Sequence, residues 1–182
     1  ALGYASLQAN TTASNNTAVG YYSLLQNTTG TSNCAVGTNA LMTSTTASNC
    51  TAVGKDALKL NTTANNTGIG FAALEATTTG GSNTAVGYAA LDANTTGADN
   101  IAVGRDALGK NTTANENIAV GRASLGDNTT GTKNTALGKS ALGGNTTADN
   151  NTAVGYYALL ANTTGEKNVA VGGAALEANT TA

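Results

Sequence analysis

Ten carboxylates, eight lysine and arginine side chains, six tyrosines and two cysteines are the reactive groups of this 182-residue chain, which has no histidine. Nucleophilic or general acid–base catalysis would then need Lys, Asp or Glu as the base. None of these types holds a fixed position along the chain. A zinc site cannot be drawn from the same inventory. Asp99, Asp127 and Asp149 stand in loop sequence where calcium is a candidate, but no repeated Asp column accompanies them. The reading is a non-enzyme, with no catalytic residue, no metal and no cofactor.

The cysteines are read by position. Cys34 lies three residues before Gly37 and Cys50 four before Gly54. That one-residue offset points their side chains to opposite faces, so both are expected as free thiols.

The frame that positions these groups is a repeat. Eleven glycines from Gly3 to Gly172 recur every 17 residues, with a single 16-residue step from Gly54 to Gly70. Leu follows each glycine at the fourth place: Leu7, Leu24, Leu41, Leu58, Leu74, Leu91, Leu108, Leu125, Leu142, Leu159 and Leu176. Ala or Ser precedes each Leu, and Thr-Thr comes eight and nine residues after every glycine. Val, Ile or Leu stands immediately before the glycine, preceded by Ala or Gly. A unit this short buries nothing alone, so the copies must stack.

The segment Asn-Thr-Ala-Val-Gly is β-rich and reads as a strand of about five residues. Seventeen residues suit two short strands and two turns, one rung of a parallel β-roll, with the Ala-Leu segment alternatively a helical turn. The fold class is all-β: a parallel β-solenoid of eleven rungs, about 50 Å long at ~4.8 Å per rung. Residues 1–182 form one repetitive unit. The Leu column and the Val/Ile/Leu column are expected to make the apolar spine. The fixed Ala and Gly columns suggest a second close-packed face that meets other copies of the chain.

Two Asn columns accompany the spine. One precedes Thr-Thr, interrupted by Ser44 and Thr77, and the other runs four residues before the glycines from Asn16 to Asn168, interrupted by Cys50. Stacked amides hydrogen-bond along a column. The first column also makes Asn-Thr-Thr a formal glycosylation signal in nearly every unit. In the short unit, Gly68 replaces the usual Ala, which suggests a distortion needing permissive backbone.

With a net charge of −2 the chain lacks the basic stripe that nucleic acid requires. No apolar run approaches the ~20 residues of a membrane span. The chain opens and closes mid-repeat, which reads as a segment of a longer fibre protein, and open rungs invite end-to-end association.

The repeats NTAVGYYSLLQNTTG (Asn16 to Gly30), NTAVGYAALDANTTG (Asn83 to Gly97) and NTAVGYYALLANTTG (Asn151 to Gly165) resemble those of phage tail-fibre-like proteins. They are similar also to the head repeats of YadA-like trimeric autotransporter adhesins. The resemblance covers essentially the whole chain. It implies a left-handed, homotrimeric β-roll in an extracellular, cell-surface or virion appendage.

The position after each glycine is the freest: Tyr4, Tyr21, Thr38, Lys55, Phe71, Tyr88, Arg105, Arg122, Lys139, Tyr156 and Gly173. Successive cations at rung spacing repel unless solvated, so this column is expected to face water. It is the candidate surface-contact column, for a glycan or a host receptor. The functional expectation is a self-associating structural fibre segment, shaft or head of an adhesive appendage or tail fibre. Two alternatives stand beside it: an ice-binding solenoid using the Thr-Thr columns, and a single-chain self-assembling surface filament.

Overall fold

A computed structural model describes residues 1–181. The first of the eleven repeats contributes only a parallel bridge from Leu2 to Val19; each of the other ten contributes one three-residue strand: β1 (Thr17–Val19), β2 (Cys34–Val36), β3 (Thr51–Val53), β4 (Thr67–Ile69), β5 (Thr84–Val86), β6 (Ile101–Val103), β7 (Ile118–Val120), β8 (Thr135–Leu137), β9 (Thr152–Val154) and β10 (Val169–Val171). They line up in chain order as a single ten-stranded sheet. Pairing is parallel and in register, with Ala18 opposite Ala35 and Val19 opposite Val36. From β1 to β10 the stack is about 43 Å long. The fold is an all-β solenoid.

The strand is shorter than the sequence suggests, and the rest of the rung is neither a second strand nor a helical turn. After each glycine the backbone turns left-handed at every other residue. The second residue after glycine has φ between 49° and 59°, and every Leu of the column has φ between 48° and 56°. Left-handed backbone costs an L-residue about 1–2 kcal/mol. Stacking offsets it, because these residues bond to adjacent rungs: Tyr22 N–H donates to the Tyr4 carbonyl at 3.0 Å and Leu24 N–H to the Ala40 carbonyl at 3.0 Å. The strand-ending glycines are obligatory. At Gly104, with φ +132°, a Cβ would stand 2.7 Å from the carbonyl of Gly121.

The Leu column is the core, as its invariance implies. Leu24 through Leu159 are fully buried, whereas Leu7 is half-buried and Leu176, with no rung beyond it in this chain, is 52% exposed. Two other expectations are corrected. The Val/Ile/Leu column is not part of the spine; it points outward. Strand side chains alternate, and the middle Ala is the one that faces in, as the exposed–buried–exposed pattern of β1 shows. The Ala columns are not an inter-chain face either. Ala35, Ala52 and Ala85 in the strands, and Ala40, Ala57 and Ala73 before the Leu, are fully buried inside the single chain. The rung is too narrow to hold anything larger beside Leu.

Two amide ladders fill the remaining interior. In the column before Thr-Thr, from Asn111 to Asn162 each Nδ2 donates back to the previous rung: Asn111 to Asn94 Oδ1 at 3.0 Å, Asn128 to Asn111 at 3.1 Å, Asn145 to Asn128 at 2.8 Å. In the other column each Oδ1 accepts the next rung's backbone N–H, as Asn100 N–H to Asn83 Oδ1 at 3.0 Å. Its Nδ2 reaches forward to a carbonyl, as Asn83 to Gly97 O at 2.8 Å. Amides so held are closed to glycosylation in the folded rungs, since Asn27, Asn61 and Asn94 are fully buried.

The short unit keeps its register, with Ala52 paired to Gly68 and Gly68 to Ala85. Gly68 lies in a strand and has no left-handed φ. Its glycine answers a lack of space instead: a Cβ there would lie 3.1 Å from Leu58 Cγ and 3.0 Å from the Ala73 carbonyl.

Candidate interaction surface

Function must sit on the outward columns, because the inward ones are occupied by the stacking itself. Three differ in character.

The first is the column after glycine. Tyr4, Tyr21, Phe71, Tyr88 and Tyr156 are exposed, as are Lys55, Arg105 and Arg122, while Lys139 is half-covered. The rings stack on one another along the rod. Tyr4 and Tyr21 lie 5.4 Å apart at 14°, and Phe71 and Tyr88 lie 5.2 Å apart at 11°. Lys55 caps Phe71 at 5.2 Å, and Lys139 caps Tyr156 at 5.1 Å. Aromatic faces therefore meet neighbouring rungs, and mainly edges and hydroxyls meet solvent. This stacking is not legible from residue types, because it depends on side-chain torsion.

Charge in this region is locally balanced. Arg105 Nε reaches Asp106 at 2.9 Å, and Lys110 reaches Asp127 at 2.7 Å. Asp56 is nearly buried. Burial opposes its ionisation, but hydrogen bonds from Asn39 and Lys55 and the charge of Lys59 outweigh that and lower its pKa. Asp92 goes the other way: burial raises its pKa, and the charges of Asp106 and Glu75 add to the rise. Beside Asp92 the position after Leu becomes glycine in three successive rungs. Gly109 and Gly126 there floor a shallow depression of about 320 Å³, and Gly126 and Gly143 a second of about 320 Å³.

The second is the Thr-Thr column. It lies in a turn rather than on a strand. The first Thr uses its hydroxyl between rungs, as Thr95 Oγ1 to the Thr112 carbonyl at 3.0 Å and Thr129 to Thr146 at 3.0 Å. One rank of exposed hydroxyls remains.

The third is the strand face, whose Val/Ile/Leu column the sequence pattern assigns to the spine. Its two columns are the first and third strand residues. Val19 is 37% exposed, Ile101 41% and Leu137 47%. Cys34 lies on this face, half-exposed, and Cys50 is buried in the second amide column. Burial raises the Cys50 thiol above its ordinary pKa, which keeps it unreactive.

Among the described residues no group of three His, Cys, Asp or Glu could hold a metal, and no helix is long and apolar enough to cross a membrane. Compared with known proteins, the chain matches no family model, no curated protein and no solved structure.

Proposed function

We propose that this chain is a rigid structural segment of an extracellular fibre, the shaft or head of an adhesive appendage or tail fibre, and that it works as a homotrimer. The observation that carries this reading is lengthwise continuity. Every strand bonds to the next in register from β1 to β10, and two buried amide ladders run parallel to the sheet. Such a stack transmits load along its axis and presents variable residues sideways at fixed spacing. The resemblance of its NTAVGYxAL units to fibre and adhesin repeats supports the trimer. Sedimentation equilibrium tests it: the expected species has three times the 17.7 kDa mass of the chain. A single chain at all concentrations would refute it.

A second reading rests on the strand face. Thr84 and Val86, with Thr67 and Ile69 one rung away, present methyls and hydroxyls in register from rung to rung, the kind of array that orders water. Thermal hysteresis in a freezing-point assay would favour that reading; its absence would remove it.

A further inference from the structure

We infer that the outward strand face is the surface on which copies of this chain pack against one another; this rests on the self-associating reading above. Two columns compose the face. The third strand residue is Val, Ile or Leu in every strand, and the first is Thr, Ile or Val, with Cys34 the single departure. All the Asp, Glu, Lys and Arg residues lie in other columns. Lys55 and Arg105 follow the glycine, Glu75 and Asp92 follow the Leu, and Glu116 and Lys133 sit in the loop after Thr-Thr. A solvated column in a repeat this tolerant would have drifted to charge somewhere, as those columns have. The strand face stays uncharged along its whole length and β-branched except at Cys34 and Leu137; its valines in the middle rungs are half-exposed, with Ile118 at 40% and Ile69 at 38%.

Dimension and period identify the occupant. Three residues wide and about 43 Å long, the face covers on the order of 400 Å², the size of the largest apolar patch on a typical monomer, which is often functional. It is one half of the ~800 Å² per partner of a standard interface, so a pair of such faces makes a weak dimer. Closure of more than two copies about a common axis, or continuation over more rungs, brings it into the stable range. The face repeats every ~4.8 Å with no charge to set register. A partner complementary along all of it must carry the same period, and another copy of this solenoid does.

Cys34 reports on the face without engineering, because Cys50 is buried. The experiment compares wild type, the double variant Val53→Lys/Val120→Lys on the face, and Thr96→Lys on the exposed Thr-Thr turn. Light scattering reads the mass, circular dichroism reads the fold, and a maleimide reads the Cys34 rate. The expected result is a multimeric wild type and Thr96→Lys, both with Cys34 labelled at least tenfold more slowly than in the double variant. The double variant is expected as a folded monomer. A multimer that survives both lysines, with Cys34 equally reactive in all three proteins, overturns the face while leaving self-association standing. A monomeric wild type with reactive Cys34 overturns both, as does a monomer whose strand face adsorbs to ice.

Discussion

Ser44→Asn should make this protein more stable. Where the ladder before Thr-Thr is unbroken, as at Asn111 and Asn128, an Asn donates to the rung before it and accepts from the rung after it. Ser44 occupies one of those places and is too short for either bond. Two buried atoms are left without partners in consequence: Asn27 Oδ1 and Ser44 Oγ. The next rung is disturbed as well. Asn61 Nδ2 bonds the Thr63 carbonyl at 2.8 Å and reaches Cys50 Sγ at 3.5 Å rather than a ladder oxygen.

An Asn at 44 places an Nδ2 toward Asn27 Oδ1 and an Oδ1 toward Asn61 Nδ2. Satisfying a buried polar atom recovers about 1–3 kcal/mol, and each added hydrogen bond contributes about 1 kcal/mol. After allowance for side-chain ordering, the net gain is about 2 kcal/mol. In a chain of this length that corresponds to about 4–8 °C in Tm. The control is Ser44→Ala, which deletes one orphaned atom and leaves Asn27 Oδ1 unpaired, so it should move stability by less than about 1 kcal/mol. Thermal unfolding of the three proteins by calorimetry is the assay. If Ser44→Asn melts at or below Ser44→Ala, the ladders are not a source of stability and the account of the interior is wrong.

Three further outcomes follow from named contacts. Gly104→Ala sets a Cβ 2.7 Å from the Gly121 carbonyl at φ +132° and should cost at least about 2 kcal/mol, whereas Gly173→Ala, with nothing within 4 Å, should stay within about 0.5 kcal/mol in the same denaturant titration. Leu91→Asp removes a fully buried side chain of the spine and buries an unpaired charge, a loss above about 4 kcal/mol; an unchanged melt would mean that the Leu column is not the core. Asp92, its pKa raised in the folded chain by burial and then by Asp106 and Glu75, contributes stability that is fully present below the unfolded carboxylate pKa and lost as pH rises through the folded value. Asp92→Asn should therefore raise the melting temperature at neutral pH, with the gain vanishing in acid; an equal gain at both pH values would place its cause elsewhere.

What the sequence disclosed depended on whether side-chain type alone determines the outcome. The rung length, the Leu core and the Asn ladders were legible because a glycine beat, a large apolar residue and a self-complementary amide each have one use in a stack. The facing of Val19 and its equivalents was not. In a three-residue strand either parity is allowed, hydrophobicity favours the larger residue inside, and only the narrowness of the rung makes Ala18 the inward one. Left-handed Leu was equally hidden, since Leu seldom adopts that region. A signal did exist beside it. Asn39, Asp56 and Asp106, two residues after the glycine, and Asn15, Asn49, Asn65 and Asp99 in the loop all have φ between 58° and 66°, and Asn and Asp are the side-chain-bearing residues that tolerate it best. At the candidate surface, exposure of the Tyr4–Tyr156 column followed from its variability, but the mutual stacking of its rings needed coordinates.

Mass per length of the assembled material, measured by scanning transmission electron microscopy, counts the chains that lie side by side in the fibre. A homotrimeric fibre has three chains side by side at every ~4.8 Å step along the axis. One chain per step would contradict it, leaving a single-chain filament whose neutral strand face stays open to water.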